Sequence, residues 1–254
     1  MKTHKSIHKQ AFNTIIACLF GFLFSCSCES NPEGTPDLPS DPNTIKIMPL
    51  GASRVEGARP DFESYRHELW KLMVDRGWSI DLIGTVDDEA SYPSHSNSSF
   101  DNDHEGRGGW TSGQILAGIN SWLQSAGTPD IVLFSSPGGN DALTNMSYDA
   151  AVANINQIID ILQAANPNVT IIIEQMAPGK SEIMTGTLNN FFSQMQQEVL
   201  NISANQSTAT SLVIAVDMFT GFQDNLLADD VHYNEAGARF IAQRYFQALQ
   251  GVID

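Results

Sequence analysis

The chain has 254 residues, of which 42% are hydrophobic and 17% are charged, a balance that supports a folded core and excludes disorder throughout. Its 29 acidic and 13 basic residues give a net charge of −16, so we expect no nucleic-acid partner. All three cysteines, Cys18, Cys26 and Cys28, lie in the first 28 residues, so the main body has no thiol nucleophile, thiolate zinc site or disulfide.

Residues 1–25 have the pattern of an export signal. Lysines precede an apolar stretch that is shorter than the roughly 20 residues a helix needs to cross a bilayer. The end of this stretch, Leu23-Phe24-Ser25-Cys26, resembles the lipobox of bacterial lipoproteins, in which the cysteine receives a lipid. Phe24 is bulkier than that motif usually has. Lipidation at Cys28, an uncleaved anchor and a plain signal peptide are therefore alternatives to lipidation at Cys26.

Residues 26–44 are predicted to be an acidic, proline-rich linker, because from Glu29 to Thr44 they hold four prolines, four acids and no basic residue. Such an acidic stretch also resembles the export signal of some outer-membrane surface lipoproteins, and an ordinary spacer is the alternative. The prediction is an exported protein, lipid-anchored to the bacterial cell envelope. Its only membrane contact would be through this lipid, and residues 45–254 would form one domain.

From residue 45 onward, short apolar runs alternate with longer segments of helical period. Five runs rich in Ile, Val or Leu are too short to be buried helices and predict strands. They are Ile45–Leu50, Ser79–Gly84, Asp130–Ser135, Val169–Gln175 and Leu212–Asp217.

Five segments place apolar residues on one helical face and predict the helices. They are Phe62–Arg76, Thr111–Ser125, Tyr148–Ala165, Leu188–Ile202 and Asn234–Val252. Alternating strands and helices predict an α/β protein, a three-layer α/β/α sandwich with a parallel sheet. The loop from Thr85 to Gly109 has a length that is usually functional or disordered.

Ligands of an open parallel sheet gather at the carboxyl ends of its strands, so the residues after each strand are candidates for chemistry. After the first strand, Gly51-Ala52-Ser53-Arg54 allows a sharp turn that exposes the Ser53 hydroxyl and aims its N–H at an oxyanion. An ordinary turn is the alternative. The chain contains no G-x-S-x-G, which excludes the nucleophile elbow of the α/β-hydrolases. After the third strand, Asn140 offers an uncharged oxyanion donor, or caps the next segment.

Four histidines outside the export signal are candidate bases, His67, His95, His104 and His232. His232 follows Asp229 and Asp230 in a segment where one carboxylate can hold Nδ1–H and leave Nε2 free for a serine. Asn234 is predicted to cap the last helix. His104 is a competing base, or a solvated loop histidine.

The most polar segment, residues 101–110, resembles the start of an EF-hand loop. Its twelfth position is Ser112, however, where that loop needs a glutamate. Its glycines follow a loop and not a strand, unlike those of a dinucleotide site. We therefore expect no metal and no cofactor.

The order of these features resembles the SGNH (GDSL-type) hydrolases over residues 45–254. The resemblance implies a flavodoxin-like five-stranded sheet and Ser53 as nucleophile. It also implies an oxyanion hole of the Ser53 N–H, Gly109 and Asn140, and a triad completed by Asp229 and His232. Ala52 stands where that family usually has the aspartate of Gly-Asp-Ser, a side chain thought to brace the loop. An inactive or re-purposed homologue is therefore an alternative.

Further motifs look like the carbohydrate esterases that remove acetyl groups from xylan. They are Ile47-Met48-Pro49-Leu50, Tyr65-Arg66 with Leu69-Trp70, His104-Glu105-Gly106 running to Gly109-Trp110, and Asn166-Pro167. The resemblance implies removal of acetyl groups from a polysaccharide or oligosaccharide through an acyl-enzyme. A lipase, lysophospholipase or thioesterase, and a surface glycan-binding lipoprotein with a relic triad, are the alternatives.

Two residues beside the predicted site are candidates for substrate binding. Arg54 would grip a substrate oxygen, or pair with a loop carboxylate instead. Trp110 would offer a platform for a sugar ring, or pack against the helix that it precedes.

Overall fold

The computed structural model describes residues 43–254, so the predicted export signal, the lipidation site at Cys26 and most of the predicted linker lie outside the described residues. The strands are β1 (Ile45–Gly51), β2 (Ile80–Leu82), β3 (Glu105–Gly106), β4 (Ile131–Phe134), β5 (Thr170–Gln175) and β6 (Val213–Asp217). The α-helices are α1 (Ser53–Glu56), α2 (Arg66–Arg76), α3 (Ser112–Ala126), α4 (Gly139–Leu143), α5 (Tyr148–Ala165), α6 (Gly186–Gln206) and α7 (Glu235–Ile253). A 3₁₀ turn covers Asp224–Leu226. Within the described range, no helix combines the length and apolar character needed to cross a membrane.

The five longer strands lie in the order β2-β1-β4-β5-β6, and every neighbouring pair is parallel. Counted along the chain without the two-residue β3, this is the 2-1-3-4-5 order of flavodoxin-like sheets. The predicted fold class and its five strands are therefore confirmed.

Strand β3 is an addition to the predicted sheet. It pairs in parallel with the end of β1, with Leu50 opposite Glu105 and Gly51 opposite Gly106. Because two residues carry no periodic pattern, the sequence predicts a loop for this segment. The pairing fixes the polar segment 101–110 beside the carboxyl end of β1.

Two hydrophobic cores lie on opposite faces of the sheet. Helices α3, α5 and α6 cover one face, and α2 and α7 cover the other. In β1, Met48 and Leu50 belong to the first core and Ile47 to the second, because successive side chains of a strand point to opposite faces. Strands buried on both faces are apolar at nearly every position, which explains the short apolar runs of the sequence.

The long helices follow their predicted bounds closely, and α5 matches them at both ends. Helix α2 begins at Arg66, later than the predicted Phe62, because the preceding backbone bonds elsewhere. Phe62 pairs with Ala58, and the Glu63 N–H donates to the Tyr233 carbonyl at 2.8 Å. Residues 58–63 are therefore a small hairpin instead of a first helical turn.

The short helices α1 and α4 were not predicted, because four and five residues are too few to show a helical period. They follow β1 and β4 directly and so lie at the carboxyl edge of the sheet. The predicted cap of α7 is confirmed, since Asn234 Oδ1 accepts the Gly237 N–H at 3.0 Å.

Candidate active site

Ser53 is the first residue of α1, immediately beyond the carboxyl end of β1. The turn into α1 is tight at Gly51, where a Cβ would lie 2.9 Å from the Ser135 carbonyl oxygen and 2.8 Å from Val55 Cγ2. Side chains do not approach so closely, so this position needs glycine. The turn presents Ser53 at the sheet edge where β4 also ends.

His232 lies between Ser53 and Asp229. Its Nε2 is 2.8 Å from Ser53 Oγ, and its Nδ1 is 2.7 Å from Asp229 Oδ2. With the ring proton on Nδ1, the imidazole donates to the carboxylate and accepts from the hydroxyl. The structure thus brings together the three predicted residues from segments 179 positions apart in the chain.

The Asp229 carboxylate is fixed by backbone donors as well as by the imidazole. Its Oδ1 accepts the N–H groups of Val231 at 2.9 Å and of His232 at 2.7 Å. Partial burial alone would raise the pKa of Asp229, but these hydrogen bonds and the contact with the His232 ring lower it to about 2. The carboxylate is therefore ionised and oriented toward His232. Asp230 is the other acid that precedes His232 closely in the sequence. Its backbone carbonyl accepts the Lys180 N–H.

The other three histidines lie elsewhere. His67 Nε2 is 3.2 Å from the Pro93 carbonyl oxygen, and His95 contacts Asp75 at 2.6 Å. His104 is fully buried, and its Nδ1 accepts the Gly106 N–H at 2.9 Å. Burial, together with the charges of Arg66 and Arg107, lowers the pKa of His104 to about 2. His104 is thus a neutral structural residue and not a competing base.

Asn140 lies in the first turn of α4, directly after the turn that follows β4. Its Nδ2 donates to the Trp110 carbonyl at 2.9 Å, which orients the amide, and Asn140 and Ser53 line the same cavity. The alternative in which Asn140 caps the helix is not found, because the N-cap residue is Gly138.

Gly109 has a φ of 77°, in the left-handed region that favours glycine, and a Cβ there would meet no atom within 4 Å. Its neighbour Gly108 approaches the nucleophile more closely, since a Cβ on Gly108 would lie 4.0 Å from Ser53 Cβ. The segment predicted to supply an oxyanion donor therefore passes beside Ser53. The donor role of Gly109 stays a prediction.

Arg54 is buried, and its guanidinium binds backbone carbonyls on two sides of the site. Nε donates to Val231 at 2.8 Å, and the terminal nitrogens donate to Ala177 at 2.7 Å and Pro178 at 3.0 Å. The guanidinium also lies 4.8 Å from the Tyr233 ring centroid. Arg54 thus connects the His232 loop to the segment after β5. Its predicted role in substrate binding stays a prediction, with most of its donors already engaged.

Trp110 is half-buried and packs on Trp122 of α3, with ring centroids 5.6 Å apart. The Arg107 guanidinium lies 5.4 Å from the Trp110 ring centroid and 4.2 Å from that of Trp122. This packing corresponds to the alternative in which Trp110 packs against the following helix. The predicted sugar platform is not tested by these contacts.

In the polar segment 101–110, the Asp101 carboxylate has a structural hydrogen bond. Asp101 Oδ2 accepts the Leu82 N–H at 2.7 Å, so this carboxylate ties the segment to β2. Among residues 43–254, no three His, Cys, Asp or Glu side chains converge to hold a metal ion.

Glu174 is a site residue that the sequence alone does not predict. It is fully buried in β5, and its Oε2 accepts the Ser136 N–H at 2.8 Å. Ser136 has a φ of 47°, which is unfavourable for serine, so this hydrogen bond supports the turn that leads to Asn140. The available signal is a single acid directly after three isoleucines of a predicted buried strand.

Phe62 is the second missed residue. Its ring stacks on the His232 imidazole with a centroid separation of 3.9 Å and an angle of 13° between the planes. No local pattern signals this contact, because Phe62 and His232 come from distant parts of the chain.

A small cavity opens beside Ser53 and has a volume of about 30 Å³. Its apolar wall includes Leu143, Met176 and Phe192, and its polar side includes Asn140. Met176 and Phe192 are buried, whereas Leu143 is 39% exposed. The cavity therefore has room for a group of about the size of a methyl beside the serine hydroxyl.

An α/β/α sandwich with a serine, a histidine and an aspartate in hydrogen-bond contact at the carboxyl edge of its sheet has the architecture of a carboxylic ester hydrolase. The chain belongs to the GDSL-like Lipase/Acylhydrolase family, whose model matches residues 75–240. The matched range includes Asn140, Asp229 and His232 and begins after Ser53.

Relatives agree with this family. The chain is 26% identical over 233 residues to a multidomain esterase of Ruminococcus flavefaciens, covering 86% of this chain and 30% of that protein. It thus spans less than a third of that relative's length.

Among solved structures, a family 3 carbohydrate esterase of Clostridium thermocellum is 32% identical, with 83% of this chain and 100% of that chain covered and a TM-score of 0.64. A carbohydrate esterase family 3 protein of Talaromyces cellulolyticus is 28% identical, with a TM-score of 0.71 and coverage of 83% and 98%. An acetyl esterase mutant solved with an acetate ion gives 28% identity, a TM-score of 0.72 and the same coverage.

Proposed function

We propose that this acylhydrolase removes acetyl or similarly short acyl groups from carbohydrate, with Ser53 as nucleophile, His232 as base and Asp229 as the acid that orients it. The observation that carries the proposal is the pair of contacts of His232, 2.8 Å to Ser53 Oγ and 2.7 Å to Asp229 Oδ2. They give the nucleophile a base within hydrogen-bond reach and give the base a fixed orientation.

In the first half of the reaction, Ser53 Oγ attacks the ester carbonyl while its proton moves to His232 Nε2. Asp229 stabilises the resulting imidazolium, and the Ser53 N–H, Gly109 and Asn140 stabilise the oxyanion. The imidazolium then protonates the departing sugar oxygen, which leaves an acyl-serine. Water, deprotonated by His232, attacks this ester and releases the acid and free Ser53.

The size of the cavity supports a short acyl group. Its volume of about 30 Å³ is limited by the buried side chains of Met176 and Phe192. A methyl group fits this space, whereas a long acyl chain exceeds the volume beside these two side chains.

Two further observations support a carbohydrate as the other half of the ester. Solved structures similar to this chain are named carbohydrate esterases or an acetyl esterase. The net charge of −16 disfavours anionic polymers and phospholipid surfaces and is compatible with neutral glycans.

The test is acetate release from acetylated xylan and other acetylated glycans by the purified chain, with Ser53→Ala as the control. We expect release by the wild-type chain and a loss of activity in Ser53→Ala. Equal activity in the two proteins would contradict the nucleophile assignment.

A series of nitrophenyl esters of increasing acyl length separates this proposal from a lipase, lysophospholipase or thioesterase. We expect kcat/KM to fall steeply beyond acetate. A preference for long chains would favour the lipase alternative and contradict the small acyl site.

A glycan-binding protein with a relic triad is favoured by one observation, Ala52 in place of the family's usual aspartate. That alternative requires glycan binding that survives Ser53→Ala and no turnover by the wild-type chain. Isothermal titration with xylan oligosaccharides, together with the acetate assay, distinguishes it.

We also propose that the chain is exported and lipid-anchored to the bacterial cell envelope through Cys26. Labelling with radioactive palmitate tests this, with Cys26→Ala compared to Cys28→Ala. Label that is lost only in Cys28→Ala would move the lipid to Cys28.

A further inference from the structure

We infer that Phe62 is a positioning residue for the His232 imidazole. The inference rests on the proposed function, in which His232 is the base. The two rings are nearly parallel, with centroids 3.9 Å apart and an angle of 13° between their planes. The Phe62 ring therefore lies flat against one face of the imidazole.

The backbone holds Phe62 in this place independently of the stack. Phe62 and Ala58 exchange two backbone hydrogen bonds, at 3.1 and 3.2 Å. The next residue, Glu63, forms an antiparallel bridge with Tyr233, the residue that follows His232, and its N–H donates to the Tyr233 carbonyl at 2.8 Å. Glu63 directly follows Phe62, and Tyr233 directly follows His232. The bridge between Glu63 and Tyr233 therefore holds the Phe62 and His232 rings side by side.

The hairpin of residues 58–63 is held by further side-chain contacts. Arg59 Nε and Glu63 Oε1 form an ion pair at 2.8 Å, and the Arg59 guanidinium lies 5.0 Å from the Tyr92 ring centroid. Ser64, just beyond the hairpin, donates its hydroxyl to the Val55 carbonyl at 2.7 Å. Val55 belongs to α1, the helix that carries Ser53. The segment that bears Phe62 is thus connected to the elements of both His232 and Ser53.

His232 needs support of this kind because the site is near the surface. The His232 side chain is 20% exposed, and its partner Asp229 is 53% exposed. The hydrogen bonds of Nδ1 and Nε2 fix two points on the edge of the ring. The ring can still pivot about the line that joins these points, and a flat partner against its face blocks that pivot.

The stack also acts on the charged state of the base. His232 becomes an imidazolium when it takes the Ser53 proton, and an aromatic face attracts a cation placed over it. This attraction exists only while the ring is charged, so it favours the transition state over the ground state. Phe62 therefore contributes to kcat more than to KM.

The experiment compares Phe62→Ala, Phe62→Leu and Phe62→Tyr with the wild-type chain. Initial rates with nitrophenyl acetate give kcat and KM, and the rate of covalent inactivation by a phosphonate ester reports the reactivity of Ser53. We expect Phe62→Ala to lower kcat and the inactivation rate by about tenfold with KM nearly unchanged. Phe62→Tyr keeps an aromatic ring and should retain most of the wild-type kcat. Phe62→Leu keeps the bulk without a ring and should show a kcat as low as that of Phe62→Ala.

Phe246→Ala is the matched control. Phe246 is likewise partly buried and packs on another ring, that of Trp78, with centroids 5.2 Å apart. Trp78 precedes β2 and therefore lies at the amino edge of the sheet, away from Ser53. This variant should lose stability without losing kcat.

A measurement that needs no turnover keeps the inference testable if a Phe62 variant fails to fold. In the Ser53→Ala chain, the ring current of Phe62 should shift the carbon-bound protons of the His232 imidazole upfield in proton NMR. Ordinary chemical shifts for these protons would overturn the inference. So would a wild-type kcat in Phe62→Ala, equal kcat in Phe62→Leu and wild type, or a change confined to KM.

Failure of the proposed function gives a different result. If the wild-type chain hydrolyses no ester, that proposal fails, while the NMR shift still tests the stack. If Ser53→Ala abolishes activity and Phe62→Ala leaves it unchanged, the inference about Phe62 fails alone.

Discussion

The Asp229 carboxylate is both exposed to solvent and fixed by hydrogen bonds. It is more than half exposed, yet its oxygens accept two backbone N–H groups and contact the His232 ring. The backbone donors fix the carboxylate in a place where solvent could otherwise draw it away. In the proposed mechanism, orientation of the imidazole is therefore the main contribution of Asp229, because solvent screens part of its charge.

We expect Asp229→Asn to lower kcat by roughly 10²–10⁴-fold, because an amide in this place can donate to Nδ1 and so stabilise the wrong tautomer of His232. Steady-state kinetics with nitrophenyl acetate provide the measurement. Asp230→Asn, a change of the neighbouring acid, is the matched control and should keep kcat close to wild type. A larger loss in Asp230→Asn than in Asp229→Asn would contradict the assignment.

Asn140 is expected to act on the transition state alone. Its Nδ2 already donates one hydrogen to the Trp110 carbonyl, which leaves the second for the oxyanion. Asn140→Ala should lower kcat by about 10²–10³-fold with little change in KM. Asn140→Asp should be at least as harmful, because a carboxylate would face the developing negative charge. A loss seen only in KM would argue against this donor role.

Glu174 of β5 supports the turn that follows β4, because its carboxylate accepts the Ser136 N–H. The burial of Glu174 raises the pKa of its carboxyl, while the hydrogen bond from the Ser136 N–H and the nearby charge of Arg54 oppose that rise. The carboxyl is surrounded by the buried side chains of Tyr65, Tyr233 and Tyr245, so water has little access to it. The local backbone of Ser136 is thus set by a neighbouring strand.

We expect Glu174→Leu to cost about 1–3 kcal/mol of unfolding free energy, because the Ser136 N–H loses its acceptor. In a domain of this size the melting temperature should fall by about 3–10 °C. Glu174→Gln keeps an acceptor of the same shape and should lose much less. Differential scanning calorimetry gives both values, and equal melting temperatures for the two variants would show that Ser136 does not depend on this acceptor.

The elements differ in how far the sequence could predict them. Helix α5 has enough turns for its apolar face to appear as a period, and its predicted bounds are correct. Helices α1 and α4 and strand β3 have two to five residues and owe their form to tertiary contacts. For the same reason, Ser53 and His232 were linked by family resemblance, and Phe62, which depends on the bridge between Glu63 and Tyr233, was not found.

Stability of the folded domain should depend on pH through Asp101. Burial raises the pKa of Asp101 from 3.8 to about 6, against the opposing hydrogen bond from the Leu82 N–H. As pH rises between these values, the unfolded chain releases this proton before the folded chain does. The contribution of Asp101 to the unfolding free energy therefore decreases with rising pH over this range.

Asp101→Asn removes this titration and keeps an acceptor for Leu82. Relative to wild type, its unfolding free energy should increase as pH rises from about 4 to about 7. Urea denaturation at several pH values measures the difference. Asp160→Asn, a change at an exposed position of α5, should show a nearly constant difference. A constant difference for Asp101→Asn as well would mean that this carboxyl titrates normally in the folded state.

The strand order also determines where such a site can form. After β1 the chain moves outward to β2, and it then returns to place β4 on the other side of β1. The connections that leave β1 and β4 run in opposite directions, so a crevice opens between their carboxyl ends. Ser53 follows one of these strands and Asn140 follows the other. Because chain topology creates the crevice, loop substitutions can change which ligand enters it while Ser53 and Asn140 remain on opposite walls.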